Sequence, residues 1–141
     1  MREVWVLPLA LLASCVTTPA CPDFGVAALQ CRAERGDKIA QLELGKAYEF
    51  GSDLEQNYTR AADLYRRAGA QVSGTTYVYS PPVGQSRGQV VAVRIGPDQT
   101  GLAEAKYRLG MLYRLGRGVE ENHDRAAELI NTALIEGYVV R

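Results

Sequence analysis

The sequence predicts an all-α fold: a short α-solenoid of two helical-hairpin repeats, with a helix capping its N-terminal end and an extended or β-hairpin insertion between the repeats. Three observations predict it. Sliding the chain along itself by 65 positions lays "AQLELGKAYEFGSDLEQNYTRAADLYRRA" (Ala40 to Ala68) over "AKYRLGMLYRLGRGVEENHDRAAELINTA" (Ala105 to Ala133) without a gap, and 12 of the 29 positions are identical. Within each copy the apolar residues recur at i, i+4, i+7 and i+8, as Ala40, Leu44, Ala47, Tyr48 and as Ala105, Leu109, Leu112, Tyr113, which is one face of a helix. Between the copies the pattern changes: "TTYVYS" and "QVVAVRI" are β-prone, are separated by "PPVGQSRG", and lie between Gly74 and Gly96-Pro97.

At 141 residues and 47% hydrophobic, the chain has the material for one modest core. Lys plus Arg and Asp plus Glu number 16 each. Without a basic excess the chain lacks the electrostatic footprint of a nucleic-acid binder, and no nucleic-acid partner is expected.

Residues 1–14 read as an export signal. Arg2 precedes the apolar run "VWVLPLALLA", which is too short to span a bilayer as a mature helix. "LASC" (Leu12 to Cys15) resembles the lipobox of bacterial lipoproteins, and that resemblance implies lipidation of Cys15 as the new N-terminus, with 15–22 as the lipidated tether. The competing reading is an ordinary signal peptide cut after Ala20, for which Pro19 is poorly placed. Val16 follows the cysteine where an Asp would favour the inner membrane, so the resemblance implies an outer-membrane lipoprotein facing the periplasm, attached to the membrane through its lipid.

Residues 23–37 read as the N-terminal cap helix. An oxidising compartment favours a Cys21–Cys31 disulfide over a buried free Cys31. If helix began at Asp23, Cys31 would lie about 12 Å along it, beyond the roughly 7 Å that a bridge spans. The bridge therefore requires Pro22 and Gly25 to bend the chain back, with regular helix from near Val26.

Residues 38–69 form the first repeat, 70–101 the inserted arm, and 102–141 the second repeat with a C-terminal tail. In each repeat a glycine, Gly51 or Gly116, closes the first helix, and Asn57 or Asn122 is placed to cap the second. Gly45 and Gly110 sit inside helices at a cost of about 1 kcal/mol relative to Ala, which predicts a close approach of another helix there. The pattern A-x3-LG-x2-Y-x2-G-x-GV, followed by an AA-containing second helix ending in A-x3-G, resembles the Sel-one-like repeats, relatives of the tetratricopeptide repeats. The signature residues are Leu44, Gly45, Tyr48 and Gly51 in the first copy and Leu109, Gly110, Tyr113, Gly116 and Gly118 in the second. The first copy departs at Asp53 and Leu54, where glycine and valine are expected, and this puts its interhelical turn in question.

The resemblance implies a non-catalytic scaffold for an envelope protein or peptide. The i, i+3 spacing puts Glu43, Lys46 and Glu49 on one face, and Arg108, Met111 and Arg114 on the equivalent face. If the arm loops out and the two first helices stack, Glu43 and Glu49 lie opposite Arg108 and Arg114, either as solvated pairing or as a charged partner-binding groove. The rivals are a hydrolase or β-lactam-interacting enzyme using Ser86, and a purely structural envelope component. "GQSRG" matches G-x-S-x-G, with Asp98 and His123 following, but that motif needs a preceding strand and a following helix, and here Pro81-Pro82 precede and a strand-like run follows. No His/Cys/carboxylate group has metal-ligand spacing, and neither a metal nor a cofactor is expected. The apolar end of the last helix needs a cover, from the arm through Tyr77, Tyr79 and Val91, from Tyr138 to Val140, or from a second molecule. The intramolecular covers rank first, so a monomer is expected.

Overall fold

The computed structural model describes residues 20–82, 84 and 87–140; the leader over 1–14, Cys15 and Ser86 lie outside the described residues. The elements run α1 (Gly25–Glu34), α2 (Lys38–Phe50), α3 (Tyr58–Gly69), β1 (Thr75–Ser80), β2 (Gln89–Arg94), α4 (Ala103–Leu115) and α5 (His123–Ile135). Each helix packs on its neighbours in the chain, α1 on α2, α2 on α3, α3 on α4 and α4 on α5. The solenoid is therefore continuous across the insertion, with α3 and α4 meeting as if nothing stood between them.

The helix ends follow from side chains that satisfy the first and last backbone groups. Asp37 accepts from Ile39 N and Ala40 N at 3.0 and 3.1 Å to start α2. Its carboxylate lies 2.6 Å from Arg32 Nη2. That hydrogen bond, and the one from the Ala40 amide, hold its pKa below the usual carboxylate range. Asn57 accepts from Arg60 N (2.9 Å) and Asn122 from Arg125 N (2.8 Å), starting α3 and α5. Gly51 and Gly116 end α2 and α4 in the left-handed region, at φ 72 and 60, where a Cβ is unfavourable. The two hairpins also share a bond across their turns: Asn57 N–H donates to the Tyr48 carbonyl (2.9 Å), and Asn122 N–H to that of Tyr113 (3.0 Å).

The core runs from α1 to α4, from Ala33 and Ala40 through Leu44, Ala61, Tyr65 and Ala68 to Ala105, Leu109 and Leu112, with Leu129 of α5 packed against it. Tyr65 and Leu112 are the largest fully buried side chains, and the alanines between them let the helix axes approach. The interior glycines mark the closest approaches. A Cβ on Gly45 would fall 2.6 Å from the Tyr65 ring, and one on Gly110 2.8 Å from Ile130 Cγ1.

The turn after α2 keeps its shape despite the departure in sequence. Asp53 takes φ 62 where its counterpart Gly118 takes 69, because the short Asp side chain tolerates this region better than most. Cys21 and Cys31 form a disulfide with a Cα separation of 5.6 Å. The chain folds back through Gly25 at φ 83 to allow it.

The insertion is a two-stranded antiparallel hairpin, with Thr75 opposite Arg94 and Ser80 opposite Gln89. All of β2 and the last four residues of β1 are exposed, so the arm does not cover the end of the solenoid. Instead Tyr138 folds back, its ring centroid 4.8 Å from that of Tyr107. That cover is partial: Ile135 remains 86% exposed, and Val139 and Val140 stay in solvent. The two strands pair with each other, and the ladder between them needs no contact with α5.

Candidate partner-binding site

The charged face foreseen on α2 and α4 exists, with an altered pairing. Arg108 Nη1 lies 3.2 Å from Glu49 Oε2, not opposite Glu43. The repeat offset would pair Arg108 with Glu43, so the two helices are displaced by six residues, about 9 Å of helix rise. Superhelical stacking slides successive first helices past each other, which a linear alignment cannot show.

Around that pair a chain of contacts joins α2, α3 and α4. The Tyr65 hydroxyl donates to Glu49 Oε2 at 2.5 Å. Arg108 Nε donates to Glu104 Oε1 at 2.9 Å. Lys46 Nζ lies 3.0 Å from Glu104 and 2.8 Å from Glu43. The Arg108 guanidinium also lies over the Phe50 ring, 5.4 Å from its centroid, a favourable place for a cation.

The protonation states are fixed by these contacts. Burial opposes the charge of Arg108, but the hydrogen bond to Glu104 and the charges of Glu49 and Glu104 outweigh it, and its pKa is raised. Burial likewise opposes ionisation of Glu104, yet Arg108 and Lys46 hold its pKa below the usual value. Lys46 is raised, burial being outweighed by Glu43 and Glu104. Burial, and then the bond to Glu49, drive the Tyr65 phenol far above its ordinary value, so it stays a donor.

Glu49, Arg108, Glu104 and Lys46 are thus partly buried and mutually satisfied: they tie the first repeat to the second. Arg114 and Met111 stand apart from this chain. Arg114 is exposed with no ion-pair partner among the described residues, and Met111 is half-buried. Phe50 and Leu115, equivalent residues that end α2 and α4, are 60% and 50% exposed. The exposed side chains of these two helices thus include Phe50 at the end of α2 and Arg114 and Leu115 at the end of α4.

Sequence reasoning missed Lys38. Its Nζ donates to the carbonyls of Ala70 (2.6 Å) and Thr100 (2.9 Å), at the two feet of the arm. A lysine at the first position of a helix sits unfavourably against the helix dipole, which was the available signal that something else holds it. Asp98 shares this root, accepting from Gly74 N at 2.8 Å and lying 3.3 Å from Ser73 Oγ. Tyr65 and Glu104 were missed as members of the lock; the i, i+4 spacing of Glu104 and Arg108 pointed to the second.

An open cleft of about 480 Å³ lies beside α1 and α3, lined by Gln30, Tyr48, Arg60 and Asp63 among others. Arg60 donates to the Tyr48 hydroxyl at 3.0 Å, and Arg66 and Arg67 both pair with Asp63. For a serine hydrolase the arrangement offers little. Asp98 serves the arm root, and exposed His123 lies 2.8 Å from Glu121. Among the described residues no cluster of His, Cys, Asp or Glu is disposed to hold a metal, and no helix is long and apolar enough to cross a membrane.

The family model of the Sel1 repeat matches residues 38–73 and 103–138. Two solved structures share the fold. One is a protective antigen present in uropathogenic Escherichia coli strains, displaying an SLR fold, at TM-score 0.54 and 21% identity over 79% of this chain and 18% of that one. The other is a Sel1 repeat protein from Oxalobacter formigenes, at TM-score 0.55 and 21% identity over 79% of this chain and 63% of that one. The chain spans less than two thirds of the length of either. No curated protein sequence matches it significantly.

Proposed function

The chain belongs to the Sel1 repeat family, and from that premise we propose that it is an envelope-anchored, non-catalytic scaffold that binds a protein or peptide. Sel1 repeat proteins generally act as protein-interaction scaffolds. The observation that carries the reading here is the exposure of Phe50 at the C-terminal end of α2 and of Arg114 and Leu115 at that of α4. The neighbouring Glu49–Arg108 lock holds α2 and α4 fixed. Exposed aromatic, aliphatic and arginine side chains are of the kind found at the centre of a protein interface, where such residues dominate the energy.

Envelope anchoring rests on the lipobox-like "LASC" ending at Cys15 and on the Cys21–Cys31 disulfide, which suits an oxidising compartment. In this reading α1 is the cap of the stack: it covers α2 on the side where a preceding repeat would lie. The partner is an envelope protein or peptide, reached from a lipid on the periplasmic face of the outer membrane.

Two measurements test the proposal. Fatty-acid labelling of cells should mark the wild-type chain and leave Cys15→Ala unlabelled; labelling independent of Cys15 refutes the anchor. Crosslinking in intact envelopes should give a discrete adduct that Arg114→Glu diminishes without a change in thermal stability. An adduct indifferent to Arg114→Glu and to Phe50→Ser removes these helix ends as the binding surface.

A further inference from the structure

From the geometry of the arm we infer that the outer edge of β1 is a self-association site, which pairs antiparallel with β1 of a second copy about a twofold axis through Tyr77.

The ladder settles which backbone groups are open. Ile95 N–H donates to the Gly74 carbonyl at 2.7 Å, and Gly74 lies opposite Ile95 in the register that sets Thr76 against Val93 and Val78 against Val91. Antiparallel pairs alternate between hydrogen-bonded and open. Thr76, Val78 and Ser80 therefore spend their N–H and C=O groups on β2, and those of Tyr77 and Tyr79 face outward. Thr75 belongs to the same outward set, its N–H taken by Ser73 Oγ at 3.2 Å. Its carbonyl remains.

Between the bulge at Gly74, whose carbonyl accepts from both Ile95 and Gly96, and Pro81-Pro82, the edge is unprotected. Thr75–Ser80 contains no charge and no proline, whereas edges that stay unpaired commonly carry lysine, proline or a bulge. The β2 side does carry charge, with Arg94 at the arm's root and Arg87 near its tip. The side chains of the hairpin lie open as well: Tyr77 is 73% and Tyr79 63% exposed. A two-stranded hairpin without a further partner is marginal in water, and added strands stabilise it.

The window suits a second copy, because an edge without charged residues meets its own image without like-charge repulsion. Pro81-Pro82 close it at the tip and the Ser73–Asp98 contact closes it at the root, leaving an outward set of 75, 77 and 79 that is symmetric about Tyr77. A twofold axis there sets Tyr77 against Tyr77 of the second copy and Thr75 against its Tyr79. The Tyr77 pair then exchanges both bonds, and the Tyr79 N–H of each copy meets the Thr75 carbonyl of the other, with no like charges opposed. The result is a four-stranded sheet ordered β2, β1, β1, β2, with the tyrosines of both copies on one face. Lys38, bonded to Ala70 and Thr100, holds the arm's root in place before the copies meet, which lowers the ordering cost of association. The inference is independent of what the helix ends bind.

Sedimentation equilibrium of the purified protein should show a monomer–dimer equilibrium. Tyr77→Lys places two ammonium groups face to face and should raise the dimer Kd by at least about tenfold, with the helical melting curve unchanged. Under mild oxidation Tyr77→Cys should give a disulfide-linked dimer, since directly opposed residues lie about 5.5 Å apart, whereas Ser80→Cys should not. A wild-type chain that stays monomeric at every concentration overturns the inference. So does a dimer that Tyr77→Lys leaves intact, or crosslinking at Ser80→Cys as ready as at Tyr77→Cys.

Discussion

Gly118 lies so close to Tyr58 that a Cβ on it would fall 2.3 Å from the Tyr58 carbonyl carbon. The turn of the second repeat thus rests directly on the start of α3. Asp53, its counterpart in the first repeat, holds nearly the same φ and carries an exposed side chain. The glycine of this repeat signature therefore answers two demands, a left-handed backbone and a helix of the preceding repeat pressing on it. Only the first is binding at Asp53.

Substitution should separate the two demands. Gly118→Ala should destabilise the chain by about 3 kcal/mol or more, through positive φ and the clash with Tyr58 together. Asp53→Gly should be neutral or stabilising by up to about 1 kcal/mol, because it relieves the backbone and vacates no contact. Urea denaturation of both variants decides it. A Gly118→Ala loss of only about 1 kcal/mol, what positive φ alone costs, would mean that the Tyr58 contact contributes nothing.

Acid should weaken the join between the repeats. Glu104 has a folded pKa below its ordinary value of 4.5, so it contributes stability at pH above that value, and the contribution fades as pH falls through the lower, folded pKa. Asp37, depressed from 3.8, acts in the same direction over a similar window. The urea midpoint should therefore be level near neutrality and drop below about pH 4. Glu104→Gln should lower the neutral midpoint and flatten the acid drop. A drop as steep in Glu104→Gln as in wild type would move the acid sensitivity elsewhere.

Reduction should loosen α1. Closing the short loop between Cys21 and Cys31 is worth roughly 2 to 3 kcal/mol in the chain-entropy account. Mass spectrometry should find two hydrogens gained on reduction, and hydrogen exchange should then quicken first in Gly25–Glu34. Unchanged protection there would mean that packing on α2 alone holds the helix.

Removing the Lys38 ammonium should free the arm without unfolding the repeats. In Lys38→Met the carbonyls of Ala70 and Thr100 lose a charged donor. The amides of Val72 and Gln99, which bond each other's residues at 2.9 and 2.8 Å, should exchange at least about fivefold faster, in line with roughly 1 kcal/mol lost at a partly solvated site. Helical signal at neutral pH should hold. An exchange rate equal to wild type would make the lysine dispensable to the root.

The two helical hairpins, their caps at Asn57 and Asn122, the close approaches at Gly45 and Gly110, and the β-prone arm between the repeats were all legible along the chain. Each of these is set by neighbours within a few residues, or by a pattern repeated at a fixed offset, and so can be read along the chain. The disulfide was legible too, given the bend that Gly25 allows. Tertiary structure alone decided how the charged residues are used. Arg108 meets Glu49 and not Glu43 because stacked helices slide past each other, and this joins Lys46, Glu49 and Arg108 with Glu104 in a partly buried link between the repeats while leaving Phe50, Arg114 and Leu115 at the surface. It also decided that Asp53 can stand where glycine is usual, that Lys38 reaches across from α2 to the feet of the arm, and that the arm stands clear of α5. These outcomes depend on the distance and angle between elements far apart in sequence, which no local periodicity encodes.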